Sequence, residues 1–158
     1  MTNKGVGSGS VARRPSGWAL GLAAFMGAAG VAHFVIPEPY RRIVPRMVGD
    51  PTFWVRWSGV AEIVCAGLLL HPRTRRVGAL ATVGLLVVVF PANVKMALDG
   101  GIPGQPFPLG SPVGAWARLP LQIPLVIWAW RVAAAAHRPR LATSTAARGS
   151  RRASGRTR

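Results

Sequence analysis

Acidic side chains are scarce in this chain of 158 residues, which contains only four Asp and Glu against twenty Lys and Arg. Charged residues of both signs make up 15% of the sequence, which is low for a soluble domain. Cysteine is almost absent: the single Cys65 cannot form an intramolecular disulfide, and no Cys/His spacing typical of a metal site occurs. We therefore expect no bound metal, and we expect the thiol to behave as a small apolar side chain.

The excess of positive charge, +16 at pH 7, is unevenly distributed. Eight of the Lys and Arg residues lie between Arg131 and the C-terminus, and most of the others flank long apolar runs. This distribution is typical of membrane topology and of contact with anionic lipid headgroups, and it does not resemble a surface that reads nucleic acid. We expect the lipid bilayer as a partner and no nucleic acid.

Half of the residues are hydrophobic, and many of them are collected in four long runs. Each run is close to the roughly 20 residues that a helix needs to cross a bilayer core about 30 Å thick. Because backbone groups cannot bond to water inside that core, the runs should be helical. The sequence therefore predicts an all-α, integral membrane four-helix transmembrane bundle at residues 17–137, with disordered termini at 1–16 and 138–158. The predicted spans are residues 18–36, 53–70, 77–98 and 115–136.

The loop cations predict the orientation of these spans. With the N-terminus inside, fourteen Lys and Arg fall on the inner side, and three, Arg41, Arg42 and Arg46, fall on the outer side. The positive-inside rule then predicts a multi-pass protein of the cell membrane with both termini cytoplasmic. A cleaved signal peptide is the competing interpretation of the first run, since Arg13 and Arg14 precede it, but the run is long for that role.

One acidic residue, Glu62, lies in the middle of the second predicted span. An intramembrane carboxylate is costly unless it is paired, hydrated or protonated, so it marks a candidate functional site. Counting about 1.5 Å of rise per residue, four other polar residues fall with it in the outer half of the bundle. The candidate ligand-binding or polar-network residues are His33, Glu62, Asn93, Arg118 and Gln122.

Two interpretations of Glu62 stay open at this point. It pairs with Arg118 or Arg56 as a link between helices, or it belongs to a ligand or proton site. Helical rise separates Glu62 from Arg118 by about 8–9 Å in depth, so we expect Gln122, a water or a ligand to bridge them. Lys95 is expected to extend to the headgroups while its neighbour Asn93 faces the bundle.

The order and spacing of several short motifs, across residues 18–132, resemble the DoxX-like family of small four-helix bacterial membrane proteins. The motifs are HF at 33–34 followed by Pro37, IVP at 43–45, SGVAEI at 58–63, FPANVKMA at 90–97 and RLPLQ at 118–122. The resemblance implies the same four-helix fold. It also implies a redox association, since that family is linked to a thiosulfate:quinone oxidoreductase and to thiol-redox or quinone stress.

The leading hypothesis is thus a DoxX-like, redox-associated membrane protein whose polar pocket, in the outer half, binds a quinone-like small molecule. In it, His33, Arg118 and Gln122 donate hydrogen bonds, and Glu62 accepts or relays a proton. No haem-ligand pair, flavin or nucleotide fingerprint, or cysteine pair is present, which argues against an independent enzyme. The alternative is a non-catalytic membrane subunit or anchor for a redox enzyme complex; a small transporter fits four short spans less well. Candidate protein partners are a redox enzyme and a second copy of the chain.

Overall fold

The computed structural model describes residues 16–137, and the chain is all-helical over that range. The segments predicted to be disordered, 1–16 and 138–158, lie outside the described residues apart from Ser16. A 3₁₀ turn, Arg46–Val48, separates the second helix from the third. The helices are α1 Gly17–Val35, α2 Pro37–Ile43, α3 Pro51–Leu70, α4 Arg75–Leu98 and α5 Pro112–Ala136.

The four long helices end within one residue of the predicted spans but begin one to three residues earlier. For α3 and α5 the reason is side-chain capping by polar residues that lie outside the apolar runs. The Asp50 carboxylate accepts the backbone N–H of Thr52 at 2.9 Å before α3, and the Ser111 hydroxyl accepts that of Gly114 at 3.1 Å before α5. A proline follows each of these caps at the first helical position, where its missing N–H costs nothing.

The bundle consists of two closely packed helix pairs. Helix α1 packs mainly against α3, and α4 packs mainly against α5, while α3 adjoins α4 and the contacts of α1 with α5 are sparse. Small side chains dominate the central core, which lets the helices approach closely. The core residues are Ala19, Leu22, Ala23, Met26, Cys65, Ala66, Leu69, Ala79, Ala129, Val132 and Ala133.

Helix α2 and the connection from α4 to α5 cover one end of the bundle, here called the α2 end. A second small core lies there, formed by Met96, Ala97, Ile102 and Ala115, with Ile43 of α2 packed against it. The sequence prediction treated the α2 residues as an external loop, so this helix was missed. Its residues nevertheless carry helical signals: a proline at the first position, an acidic residue in the first turn and two arginines in the last turn.

At the opposite end of the bundle, where α1 begins and α5 ends, a buried arginine joins α3 to α4 by hydrogen bonds. Arg75 donates from Nε to the carbonyl of Leu69 at 3.0 Å and from Nη2 to that of Leu70 at 3.3 Å. These carbonyls belong to the last turn of α3, where they have no partner within the helix. The sequence prediction counted Arg75 only as a loop cation, whereas it is the first residue of α4 and closes the α3–α4 corner.

Four helices, α1, α3, α4 and α5, are long and apolar enough to cross a membrane. Large apolar side chains cover their outward faces; Val88 is 70% exposed and Ile123 61%. Such continuous apolar faces are unstable in water and are the normal contact surface with hydrocarbon. The predicted all-α bundle of membrane-spanning helices is therefore confirmed for the described residues, and the chain has the structure of a multi-pass membrane protein.

Candidate functional site

Helices α1 and α3 cross at two glycines, Gly30 of α1 and Gly59 of α3. A Cβ atom added to Gly30 would lie 2.8 Å from the carbonyl oxygen of Gly59, and one added to Gly59 would lie 2.8 Å from the Cβ of His33. The helix backbones are thus closer than a side chain on either glycine would allow. This close approach brings His33 of α1 beside Glu62 of α3.

His33 and Glu62 form a largely buried pair. Imidazole Nδ1 lies 3.2 Å from Glu62 Oε2, and the two side chains are 10% and 14% exposed. The same Nδ1 lies 2.9 Å from the carbonyl oxygen of Ala29, in hydrogen-bond geometry. Glu62 Oε2 is buried and has no well-aligned hydrogen-bond donor among the described residues. The close approach of the helices therefore places a buried imidazole and a buried carboxylate oxygen side by side inside the bundle.

Tyr40 of α2 covers this pair. Its ring stacks on the His33 imidazole, with centroids 3.9 Å apart and planes inclined by 26°. Burial raises the pKa of the Tyr40 phenol, the charge of Glu62 raises this pKa further, and the charge of Arg118 lowers it. Sequence reasoning missed Tyr40 because it placed the segment in a loop. The one sequence feature that could have drawn attention to this residue is that it is the only tyrosine of the chain.

A second polar pair lies between α4 and α5. Asn93 Nδ2 donates to Gln122 Oε1 at 3.1 Å, and Gln122 Nε2 donates to the carbonyl oxygen of Leu86. Asn93 therefore points into the bundle. Lys95 instead forms an ion pair with Asp99, the residue that directly follows the end of α4.

The predicted bridge between Glu62 and Arg118 is not formed by Gln122, whose amide is bonded to Asn93 and Leu86. The physical reason is the pairing of helices: Gln122 and its partners belong to α4 and α5, and Glu62 belongs to α3, which packs mainly on α1. Arg118 is half-buried, and within residues 16–137 no ion pair joins it to a carboxylate. The five candidate residues thus form two pairs and one separate cation.

A groove with a volume of 290 Å³ runs along α4 and α5 beside the second pair. It is open on one side, and Gln122 is its one polar wall residue. Apolar clefts with a single polar group are typical of sites for small lipid-soluble molecules. The wall residues are Val87, Phe90, Leu119, Gln122, Ile123, Val126 and Ile127.

Comparison with known proteins identifies a family and no characterised relative. No curated protein and no solved structure matches the chain. One family model, described as a domain of unknown function (DUF8561), matches residues 22–133, which include the two polar pairs and the groove. The chain belongs to this family.

Proposed function

We propose that this protein is a DoxX-like component of the cell membrane that binds a small quinone-like molecule in the α4–α5 groove. The observation that carries the proposal is the groove itself: an apolar cleft of 290 Å³, open on one side, with Gln122 as its one polar wall residue. A ligand that partitions into the bilayer can enter such a cleft sideways without crossing water.

The chemistry of Gln122 suits an acceptor group on the ligand. An amide nitrogen carries two N–H groups, and Gln122 uses one of them for the Leu86 carbonyl. The other N–H remains for a ligand oxygen such as a quinone carbonyl. Asn93 holds the amide in place by donating to its oxygen at 3.1 Å. The proposed ligand therefore combines a flat apolar body with at least one carbonyl oxygen.

The experiment is lipid extraction and mass spectrometry of the purified full chain. We expect a quinone-class molecule with the wild type and, because one hydrogen bond in an apolar site contributes about 0.5–1.5 kcal/mol, a roughly threefold to tenfold loss of retained ligand in Gln122→Leu. The matched control is Gln105→Leu, which alters the other glutamine of the chain outside the groove. Recovery of no lipid-soluble ligand other than bulk lipid, or equal retention by both variants, would contradict the proposal.

A non-catalytic subunit or anchor for a redox enzyme is the second candidate. It is favoured by the pairing of polar side chains across helices, His33 beside Glu62 and Asn93 bonded to Gln122, as in structural links between helices. Stable co-purification with a dehydrogenase and without a quinone would support this candidate. Ligand flux in liposomes would instead support a small transporter.

The proposed location is the cell membrane with both termini cytoplasmic. The support is the positive-inside rule applied to the loop cations, with Arg73 and Arg76 at the inner α3–α4 corner. Reporter fusions after residue 140 should then signal cytoplasm, and fusions within residues 100–111 should signal the external side. The reverse pattern would place the α2 end in the cytoplasm and leave the groove itself unchanged.

A further inference from the structure

A cavity of 110 Å³ lies at the α2 end, between the end of α1, the start of α2 and the first turns of α3. It is separate from the α4–α5 groove and shares no residue with it. Thr52, Val55 and Arg56 contribute one face of α3, since they follow the helical spacing of three and four residues. The full wall consists of His33, Phe34, Pro37, Arg41, Thr52, Val55 and Arg56.

The polar groups of this wall are all suited to binding an anion. Its polar wall residues are His33, Arg41, Thr52 and Arg56, and no carboxylate is among the wall residues. The acidic partners of the wall residues are Glu38, whose Oε2 is 3.6 Å from Arg41 Nη1, and Glu62, which contacts His33. Neither removes the positive character of the two arginines.

Arg41 has an unused donor here. Its Nε is buried and finds no hydrogen-bond acceptor among the described residues. A buried guanidinium N–H without an acceptor is costly, because it has lost its water and gained nothing in exchange. The side chain of Arg56, which lies opposite on α3, makes no ion pair within residues 16–137. The cavity wall therefore carries cations from two helices, and one of them, Arg41, has a buried donor without an acceptor among the described residues.

The volume of the cavity and its position along α3 limit which ligands it can bind. Since a water molecule occupies about 30 Å³ of liquid, the cavity holds roughly three to four waters, the space of one tetrahedral oxyanion. It lies near the start of a membrane-spanning helix, where Phe53, Trp54 and Trp57 form a cluster of exposed aromatic rings. Exposed Trp at the end of a membrane-spanning helix marks the level of the lipid headgroups.

We propose that this cavity binds a phosphate group, held by Arg41 and Arg56 with Thr52 as a further donor. Guanidinium groups bind phosphate through paired, charge-assisted hydrogen bonds, which is the chemistry that the wall supplies. The phosphate belongs to a phospholipid headgroup or is a free anion. The site does not depend on the function proposed for the α4–α5 groove.

The test uses the delipidated full chain in an uncharged detergent and three probes. Inorganic phosphate is titrated by phosphorus NMR, phosphatidylglycerol by native mass spectrometry, and diacylglycerol, which lacks the phosphate, by competition. We expect one equivalent of phosphatidylglycerol or inorganic phosphate to bind and diacylglycerol not to compete. Binding of the lipid alone assigns the phosphate to a headgroup, and binding of both assigns the site to the anion itself.

Substitutions of the two arginines test whether the phosphate binds in this cavity. Arg41→Gln and Arg56→Gln should each weaken binding by about tenfold or more, since charge-assisted hydrogen bonds are lost. Arg56→Lys, which keeps the positive charge, should recover part of the phosphate affinity that Arg56→Gln loses. It also provides a folded variant for the measurement if the neutral variants do not fold. Arg73→Gln, which removes one exposed cation at the other end of the bundle, should bind within about twofold of wild type. The proposal is overturned if neither phosphate probe binds, if diacylglycerol competes, or if the Arg41 and Arg56 variants bind like wild type.

Discussion

Replacing Gly30 by alanine tests the close approach of α1 and α3. The added methyl group would lie 2.8 Å from the Gly59 carbonyl oxygen and 2.8 Å from Ile63 Cγ1, whereas ordinary van der Waals contact begins at 3.4 Å. The helices must therefore separate by about 0.6 Å, because the first obstacle is backbone and cannot rotate away. The same separation would pull His33 from Glu62.

The expected cost follows from two opposing terms. Overpacking of a closely packed contact costs about 1–3 kcal/mol, and backbone obstruction places this case in the upper part of that range. Alanine is preferred over glycine within a helix by about 1 kcal/mol, which offsets part of the cost. We expect Gly30→Ala to lower the free energy of unfolding by about 1–2 kcal/mol.

A matched control separates these terms. Gly67 of α3 has no neighbour within 4 Å of the added methyl, so Gly67→Ala changes only the helix preference and should stabilise slightly. The difference between the two variants isolates the clash and should be about 2–3 kcal/mol. The measurement is reversible unfolding in mixed micelles, with helix content followed by circular dichroism. Equal unfolding free energies for the two variants would refute the close crossing of α1 and α3.

Four further predictions concern polar groups. Because Tyr40 is the only tyrosine, tyrosinate absorbance reports its pKa directly. Glu62→Gln should lower that pKa, and Arg118→Gln should raise it. Shifts of the opposite sign would contradict the positions of these charges around Tyr40. Since the folded-state pKa of Tyr40 is raised above about 10, its contribution to stability is complete below that pH and is lost as pH rises through the raised value; Tyr40→Phe should abolish this alkaline loss. In double-mutant cycles, His33 and Glu62 should show a coupling of about 0.5–3 kcal/mol, and Glu62 and Arg118 should add within about 0.5 kcal/mol. Arg75→Met should cost about 1–3 kcal/mol in thermal or denaturant unfolding, since it leaves two carbonyls unsatisfied.

Hydropathy and helix length were sufficient to predict the four long helices. Membrane-spanning segments must satisfy their own backbone groups, so local composition determines them almost alone. The starts of α3 and α5 were predicted too late because Asp50 and Ser111, which cap them, are polar and lie outside the apolar runs. Helix α2 was missed because seven residues are too few for a periodic pattern, and its stability depends on packing of Ile43 against another part of the chain.

The sequence named candidate polar residues but could not predict which of them contact each other. Position along a helix can be counted from the sequence, and two of the named pairs, His33 with Glu62 and Asn93 with Gln122, are in contact. Which helix faces which cannot be counted, because it depends on contacts such as that of Gly30 with Gly59. A single pocket containing both Glu62 and Gln122 therefore remains a sequence expectation, while the structure separates them into different helix pairs.

Helix α2 lies close to charged residues of both helix pairs. The α1–α3 pair holds His33 and Glu62, the α4–α5 pair holds Arg118, and sparse contacts join α1 to α5. Tyr40 is influenced by the charges of both Glu62 and Arg118, and α2 also contacts α3 and α4. The charges of both helix pairs thus act on one phenol in the short helix, although Glu62 and Arg118 form no ion pair with each other within residues 16–137. Substitution of Glu62 and of Arg118 should therefore shift the Tyr40 pKa in opposite directions, while the effects of the two substitutions on the free energy of unfolding add.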